Sequence, residues 1–188
     1  VNLKELTAAN HRSAERKEFA SILLSGKIEP LLYYKYLVNQ SQNYIVLESA
    51  LRELAFPDEF RSIFRAQRII EDMRELEETY GFTDSMYITR STDEYSNHIE
   101  KLLLDNNVDG VIAHLYVRHF GDMYGGAIIA KRVPGSGKMY QFENKEEMKH
   151  NIRLLLNDSM ADEANRCFSF AISLFEELVN EERVGRVI

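Results

Sequence analysis

Apolar residues recur at three- and four-residue steps along nearly the whole chain. That period predicts helices over 3–25, 30–53, 58–80, 91–105, 108–132, 145–157 and 161–183. The separators carry breaker chemistry: "SGKIEP" contains Gly26 and Pro30, "FPDEF" places Pro57 at a helix start, "YGFTDS" holds Gly81, and "VPGSGK" reads as a turn. Thr92 or Ser91 ahead of Glu94 resembles a capping box. Alternating patterns are nearly absent, so "MYIT" and "KMYQF" are local extended pieces at most. The expected fold is therefore an all-α, single-domain helical bundle over 1–188, with short loops between antiparallel neighbours.

One stretch strains this pattern. In "HFGDMYGGAIIAKR", residues 119–132, the helical period runs from Val111, Ile112 and Leu115 through His119 or Phe120 to Met123, Ala127 and Ile128, straight past Gly121, Gly125 and Gly126. Each interior glycine costs roughly 1 kcal/mol against alanine, about 3 kcal/mol in all. A single glycine is explained by a close helix crossing. Three of the nine glycines within six residues, beside Asp122, predict a kinked helix whose bare backbone lies against a flat ligand.

Composition narrows the function. The 188 residues are 45% hydrophobic, with ten Phe and ten Tyr that mostly build core, and no apolar run is long enough to span a bilayer. The amino terminus lacks a secretory pattern, and the lone Cys167 lies on an apolar helical stretch, as a buried structural thiol would. Both fit a cytoplasmic protein. The net charge of -7 argues against nucleic-acid binding, so an anionic ligand needs local cations.

Five histidines, His11, His98, His114, His119 and His150, raise the question of metal. A carboxylate-bridged di-iron bundle needs two Glu-x-x-His units, and only Glu147 to His150 has that spacing. No His or Cys pair at zinc-ligand spacing lies near a third ligand. "GDMYGG" sits within a helix, unlike a phosphate loop. A haem iron asks for less: one imidazole, an apolar slot and cations for the propionates. His11 has Glu15 one turn later, able to orient the ring, and Lys149 and Arg153 share a face one turn apart. His114 reads as a core or network residue, His119 as structural with no evident partner, and His98 and His150 as surface residues.

Three segments carry a family resemblance. "HRSAERKEFASILLSGKI" looks like the proximal-helix signature of heme oxygenases, "HLYVRHFGDMYGGAIIAKR" like their distal-helix signature, and "DEANRCFSFAISLFEEL" like their final helix. Together they run in the right order from about Leu3 to Leu178. The resemblance implies that haem is both substrate and cofactor, oxidised with O2 to biliverdin, carbon monoxide and ferrous iron. It implies His11 as the proximal iron ligand with Glu15 as its hydrogen-bond partner, and Gly121 and Gly125 as the backbone lying over the haem face. Asp122 would organise a distal water network joined by Tyr116 and Arg118. Lys4, Lys149 and Arg153 match propionate-side cations, and Phe168 matches an aromatic wall.

Ferredoxin or another reductase is the implied electron donor, with Arg118, Lys131, Arg132 and Lys138 as a basic docking patch. Ala8, Val117, Tyr124 and Ala171 depart from residues common in the family, and "LLLNDSMADEAN" looks shorter than usual. The chain resembles the soluble bacterial, algal or viral members, without a membrane anchor after Glu182. That places it in the cytoplasm, or a host's cytoplasm, as a monomer or weak dimer. The alternatives are a non-catalytic haem carrier or sensor and, on the related helical scaffold, a non-haem di-iron oxidase or a thiamin-degrading enzyme. The last would need an active-site cysteine, and Cys167 lies in the wrong helix for it.

Overall fold

A computed structural model describes residues 1–83 and 87–187, with side chains through residue 181. The helices are α1 (Leu3–Leu6), α2 (Ala8–Glu15), α3 (Glu18–Leu24), α4 (Pro30–Glu53), α5 (Ala66–Tyr80), α6 (Arg90–Leu104), α7 (Val108–Leu115), α8 (Gly121–Ala130), α9 (Lys145–Arg153) and α10 (Ala161–Val187). A π-helical turn, Tyr116–Phe120, joins α7 to α8, and 3-10 turns cover Asp58–Ile63, Lys138–Tyr140 and Asp158–Met160. No strand occurs among the described residues, so the all-α expectation holds.

Where boundaries differ from the periodicity, a local hydrogen bond or dihedral explains it. The expected helix 3–25 breaks into three. The Thr7 hydroxyl folds back onto the Leu3 carbonyl at 2.9 Å, and Lys17 takes extended backbone at φ -65°, ψ 146° before α3. The apolar period survives because each piece still buries its own anchors: Leu3, then Ala14, then Phe19 and Leu23. The expected helix 58–80 opens instead as a 3-10 turn, and the extended backbone of Phe64 separates it from α5. The expected helix 145–157 stops at Arg153, where the amides of Leu155 and Leu156 turn to the carbonyls three residues back, Ile152 and Arg153, at 2.9 and 3.2 Å.

The capping box expected at Ser91 or Thr92 is displaced. Thr89 caps α6, its hydroxyl accepting from the Thr92 amide at 3.3 Å. Asn39 of α4 fixes that start, donating to the Tyr87 carbonyl at 2.7 Å and accepting from the Thr89 amide at 2.9 Å. Of "MYIT", Met86 lies outside the described residues. "KMYQF" opens as a 3-10 turn because the Asp72 carboxylate accepts from the amides of Lys138 and Met139 at 2.9 and 2.8 Å.

α4 is the spine of the bundle. Pro30 opens it, and Tyr33, Leu37, Tyr44, Leu47 and Leu51 along it are buried. Burying one such leucine contributes ~1.5–3 kcal/mol, which explains why α5 and α6 fold down onto this helix. α10 packs on α2, α3, α6 and α7, and so ties the amino-terminal helices to α7 and the turn that leads into α8. No described helix is long and apolar enough to cross a membrane.

Candidate functional site

The glycine-rich helix α8 presents an unusual face. Gly121, Tyr124, Gly125 and Ile128 fall on one stripe by their three- and four-residue spacing, and Tyr124 and Ile128 are each 56% exposed. A Cβ placed on Gly121 or Gly125 would meet nothing within 4 Å. Gly126 points the other way, where a Cβ would stand 2.8 Å from the Tyr140 ring. The three glycines thus have two causes: Gly126 admits Tyr140 into the core, while Gly121 and Gly125 leave bare backbone along an open apolar stripe. Irregular winding comes just before them, in the π turn at 116–120, the kind of bulge that deflects a helix.

Of the expected residues, Lys149 and Arg153 meet the stripe through Tyr124. α3 packs on α8, and the Arg132 guanidinium donates to the Leu24 carbonyl at 2.7 Å, holding the end of α8 to the end of α3. On α2, His11 is more than half exposed and pairs through Nε2 with Glu15 at 2.9 Å, leaving Nδ1 as the ring nitrogen that Glu15 does not engage. Its ring lies 5.5 Å from that of Phe168 on α10. From α9, Lys149 sits 4.3 Å over the Tyr124 ring and pairs with Glu146 at 2.7 Å, while Arg153 donates to the Tyr124 hydroxyl and lies 5.2 Å from the Phe120 ring.

Beneath the π turn and α8 runs a polar seam on the face of α4 that carries Tyr36, Gln40, Tyr44 and Glu48. Tyr44 donates to the Asp122 carboxylate. Gln40 donates to the Tyr36 hydroxyl at 3.0 Å and accepts from Arg118 at 3.3 Å; Arg118 also lies 4.2 Å over the Tyr95 ring. Glu48 gathers three donors: the Arg65 amide at 2.6 Å, the Ala66 amide at 2.9 Å and the His119 imidazole at 2.7 Å. One carboxylate therefore caps the start of α5 and anchors the π turn. His119 in turn packs edge-on against Tyr44, with ring centroids 4.9 Å apart. Burial pushes Asp122 up to about 6, against the pull of the Tyr44 hydroxyl and of the charges at His119, Arg118 and Arg65. Its carboxyl thus exchanges a proton near neutral pH.

Residues 1–177 match the family model for "Heme oxygenase". The chain belongs to the heme oxygenase family. It is 29% identical to the heme oxygenase of Guillardia theta over 95% of this chain and 85% of that one. To the heme oxygenase of Rhodella violacea it is 25% identical, over 95% and 86%. Heme oxygenase-1 from the cyanobacterium Synechocystis, solved in complex with heme, superposes with a TM-score of 0.80 at 23% identity, covering 98% of this chain and 95% of that one. The all-α heme oxygenase fold and the degradation of haem read from the three sequence segments both stand.

Within this heme oxygenase fold several residue-level expectations change. Tyr116 packs its ring 5.4 Å from Phe120, and its hydroxyl reaches Thr7. The tyrosine that bonds Asp122 is Tyr44, which the sequence reading did not single out. Arg118 is buried in the seam and cannot belong to a surface docking patch. His119 has a partner after all, Glu48, and His98 is not a surface residue but bonds Glu163 at 2.8 Å. Lys149 is buried and already paired with Glu146, whereas Lys4 is exposed on α1.

His114 is a network residue, between Tyr95 at 3.0 Å and Glu163 at 2.9 Å, and Cys167 is buried, as expected. Glu147 and His150 of the lone di-iron-like unit are both exposed on α9, so they do not face a bundle interior. A cleft of about 320 Å³ between α3 and α10, lined by Lys17, Phe19, Phe175 and Glu176 among others, contains none of the expected site residues.

The residues that sequence reasoning missed are Tyr44, Glu48, Gln40 and Arg65. A signal existed: Gln40, Tyr44 and Glu48 recur every four residues along α4, and so share one face of it.

Proposed function

We propose that this heme oxygenase binds haem against the Gly121–Gly125 stripe of α8, with His11 as the proximal iron ligand, and converts it to biliverdin, carbon monoxide and ferrous iron. The observation that carries the reading is the open side of Gly121 and Gly125, where a flat ring can lie on bare backbone flanked by two exposed apolar side chains. The haem, when bound, supplies the iron at which O2 is activated.

Everything else falls to the chain. Glu15 fixes the orientation of the His11 imidazole and raises its basicity. Phe168 limits the ring's swing from the α10 side. Arg153 and Lys149, drawn to Tyr124 and Glu146 in this structure, turn to the propionates, assisted by Lys4, and set which edge of the ring is presented. Asp122 takes up and gives back protons at its carboxylate oxygens, with Tyr44 holding that carboxylate in place. Nε of Arg118 and Nδ1 of His119 are buried donors or acceptors without a partner among the described residues, positions that ordered water serves in a proton-conducting seam.

Electrons come from a ferredoxin or a reductase docking on a basic surface, of which Lys131 and Arg132 remain exposed candidates after Arg118 is removed. The protein works in a cytoplasmic compartment. An aerobic single-turnover assay tests the whole reading: hemin is bound stoichiometrically, reduced ferredoxin or ascorbate is added, and the product is chromatographed. Loss of the haem band with a biliverdin isomer is expected. Stable reduced or oxygenated haem with both donors would make the protein a haem carrier or sensor instead. Charge reversal at Lys131 and Arg132 should slow ferredoxin-supported turnover while leaving the ascorbate reaction unchanged; equal rates with ferredoxin would remove that docking surface.

A further inference from the structure

We propose that His98, His114 and Glu163 form a binding site for one divalent transition-metal ion at the junction of α6, α7 and α10, distinct from the haem site. The ligating atoms of the three side chains lie within 4.8 Å of one another. Both imidazole Nε2 atoms converge on the same carboxylate oxygen of Glu163, His98 at 2.8 Å and His114 at 2.9 Å. Two imidazoles and one carboxylate are a complete protein donor set for zinc or a related ion, with water in the remaining position.

The geometry needs little change. A tetrahedral ion at ~2.0–2.1 Å from its ligands requires ligand atoms roughly 3.3 Å apart. The two nitrogen–oxygen edges therefore open by about half an ångström, within reach of small side-chain rotations. On metal binding each imidazole exchanges its Nε2 proton for one on Nδ1. For His114 that proton is received 3.0 Å away by the Tyr95 hydroxyl, the outer-shell contact that orients a metal-bound histidine. Arg166 stands 3.7 Å from the other oxygen of Glu163, leaving the shared oxygen for the ion.

Access comes from one side only. His114 is fully buried, whereas the side chains of His98 and Glu163 keep 12% and 18% of their surface, so an ion arrives past these two and a water completes its shell. No pair of these residues has ligand spacing in sequence; the site exists because three helices meet. A bound ion would cross-link them, and through Tyr95 it would sit one side chain from Arg118 and the polar seam.

Titration of the whole protein with Co2+ alone, haem-free and haem-loaded, tests this. One saturable equivalent with the visible bands of low-coordinate Co2+ is expected in both forms, together with a rise in melting temperature on adding Zn2+. His98→Ala and Glu163→Gln should each weaken Co2+ binding roughly tenfold or more. Neither should change haem binding, which serves as the check on folding. No saturable Co2+ signal in the parent protein would overturn the proposal and leave a hydrogen-bonded triad. So would binding that persists in His98→Ala and disappears in His11→Ala, which would assign the ion to the His11–Glu15 pair.

Discussion

The two helices expected to embrace haem are built on opposite plans. On α2, His11 and Glu15 form an exposed pair one turn apart, with the His11 ring tilted against that of Phe168 at 5.5 Å. On the distal side, Asp122, Arg118 and His119 are wired to Tyr44, Gln40 and Glu48 of α4, more than 70 residues earlier in the chain. The proposed proximal pair lies at the surface of the fold, whereas the proposed distal groups are the same ones that tie α8 and the π turn to α4. Substitutions should therefore separate binding from stability on α2 and fail to separate them around α8.

The largest effect is expected at Glu48, whose carboxylate serves two backbone amides and a buried imidazole. Glu48→Ala should cost about 3–5 kcal/mol of unfolding free energy by denaturant titration. A cost below ~1 kcal/mol would mean that the seam is not structural. Next come the glycines. Gly126→Ala drives a Cβ into the Tyr140 ring and should destabilise by ~1–3 kcal/mol. Gly125→Ala meets open space and should stabilise by ~0.5–1 kcal/mol while weakening haem binding. If the two alanines behave alike, the stripe is not the haem face.

A smaller effect depends on pH. Because the Asp122 carboxyl is raised from 3.8 to about 6 in the folded protein, its contribution to stability is complete below about pH 4 and lost as pH rises through 6. A shift of that size corresponds to at most ~3 kcal/mol for this largely buried group. Melting temperature should fall across that window, and Asp122→Asn should flatten the fall. The smallest change in stability belongs to His11→Ala, within ~0.5 kcal/mol, although the axial-histidine signature of the haem spectrum should vanish. An unchanged spectrum would refute His11 as the ligand.

Local chemistry was legible in proportion to how local it is. The helical period, the breakers at Gly26, Pro30 and Gly81, and the one-turn pairs His11–Glu15 and Lys149–Arg153 all arise from neighbours within four residues. Each is visible in the string of letters. The π turn was not, because a single extra residue in a turn barely disturbs an apolar period. Yet it decides that Tyr116 faces Thr7 while Arg118 and His119 face the core.

By itself the sequence determined an all-helical chain, a glycine-rich segment too costly to be ordinary helix, and the order of three segments that marks a heme oxygenase. Only the tertiary structure decided which glycine serves packing and which serve an open face, that Tyr44 of α4 holds Asp122, and that His98, His114 and Glu163 meet. The physical reason is distance along the chain. Propensity and periodicity act over one or two turns, whereas a buried carboxylate or imidazole takes its partner from whichever helix packing brings beside it.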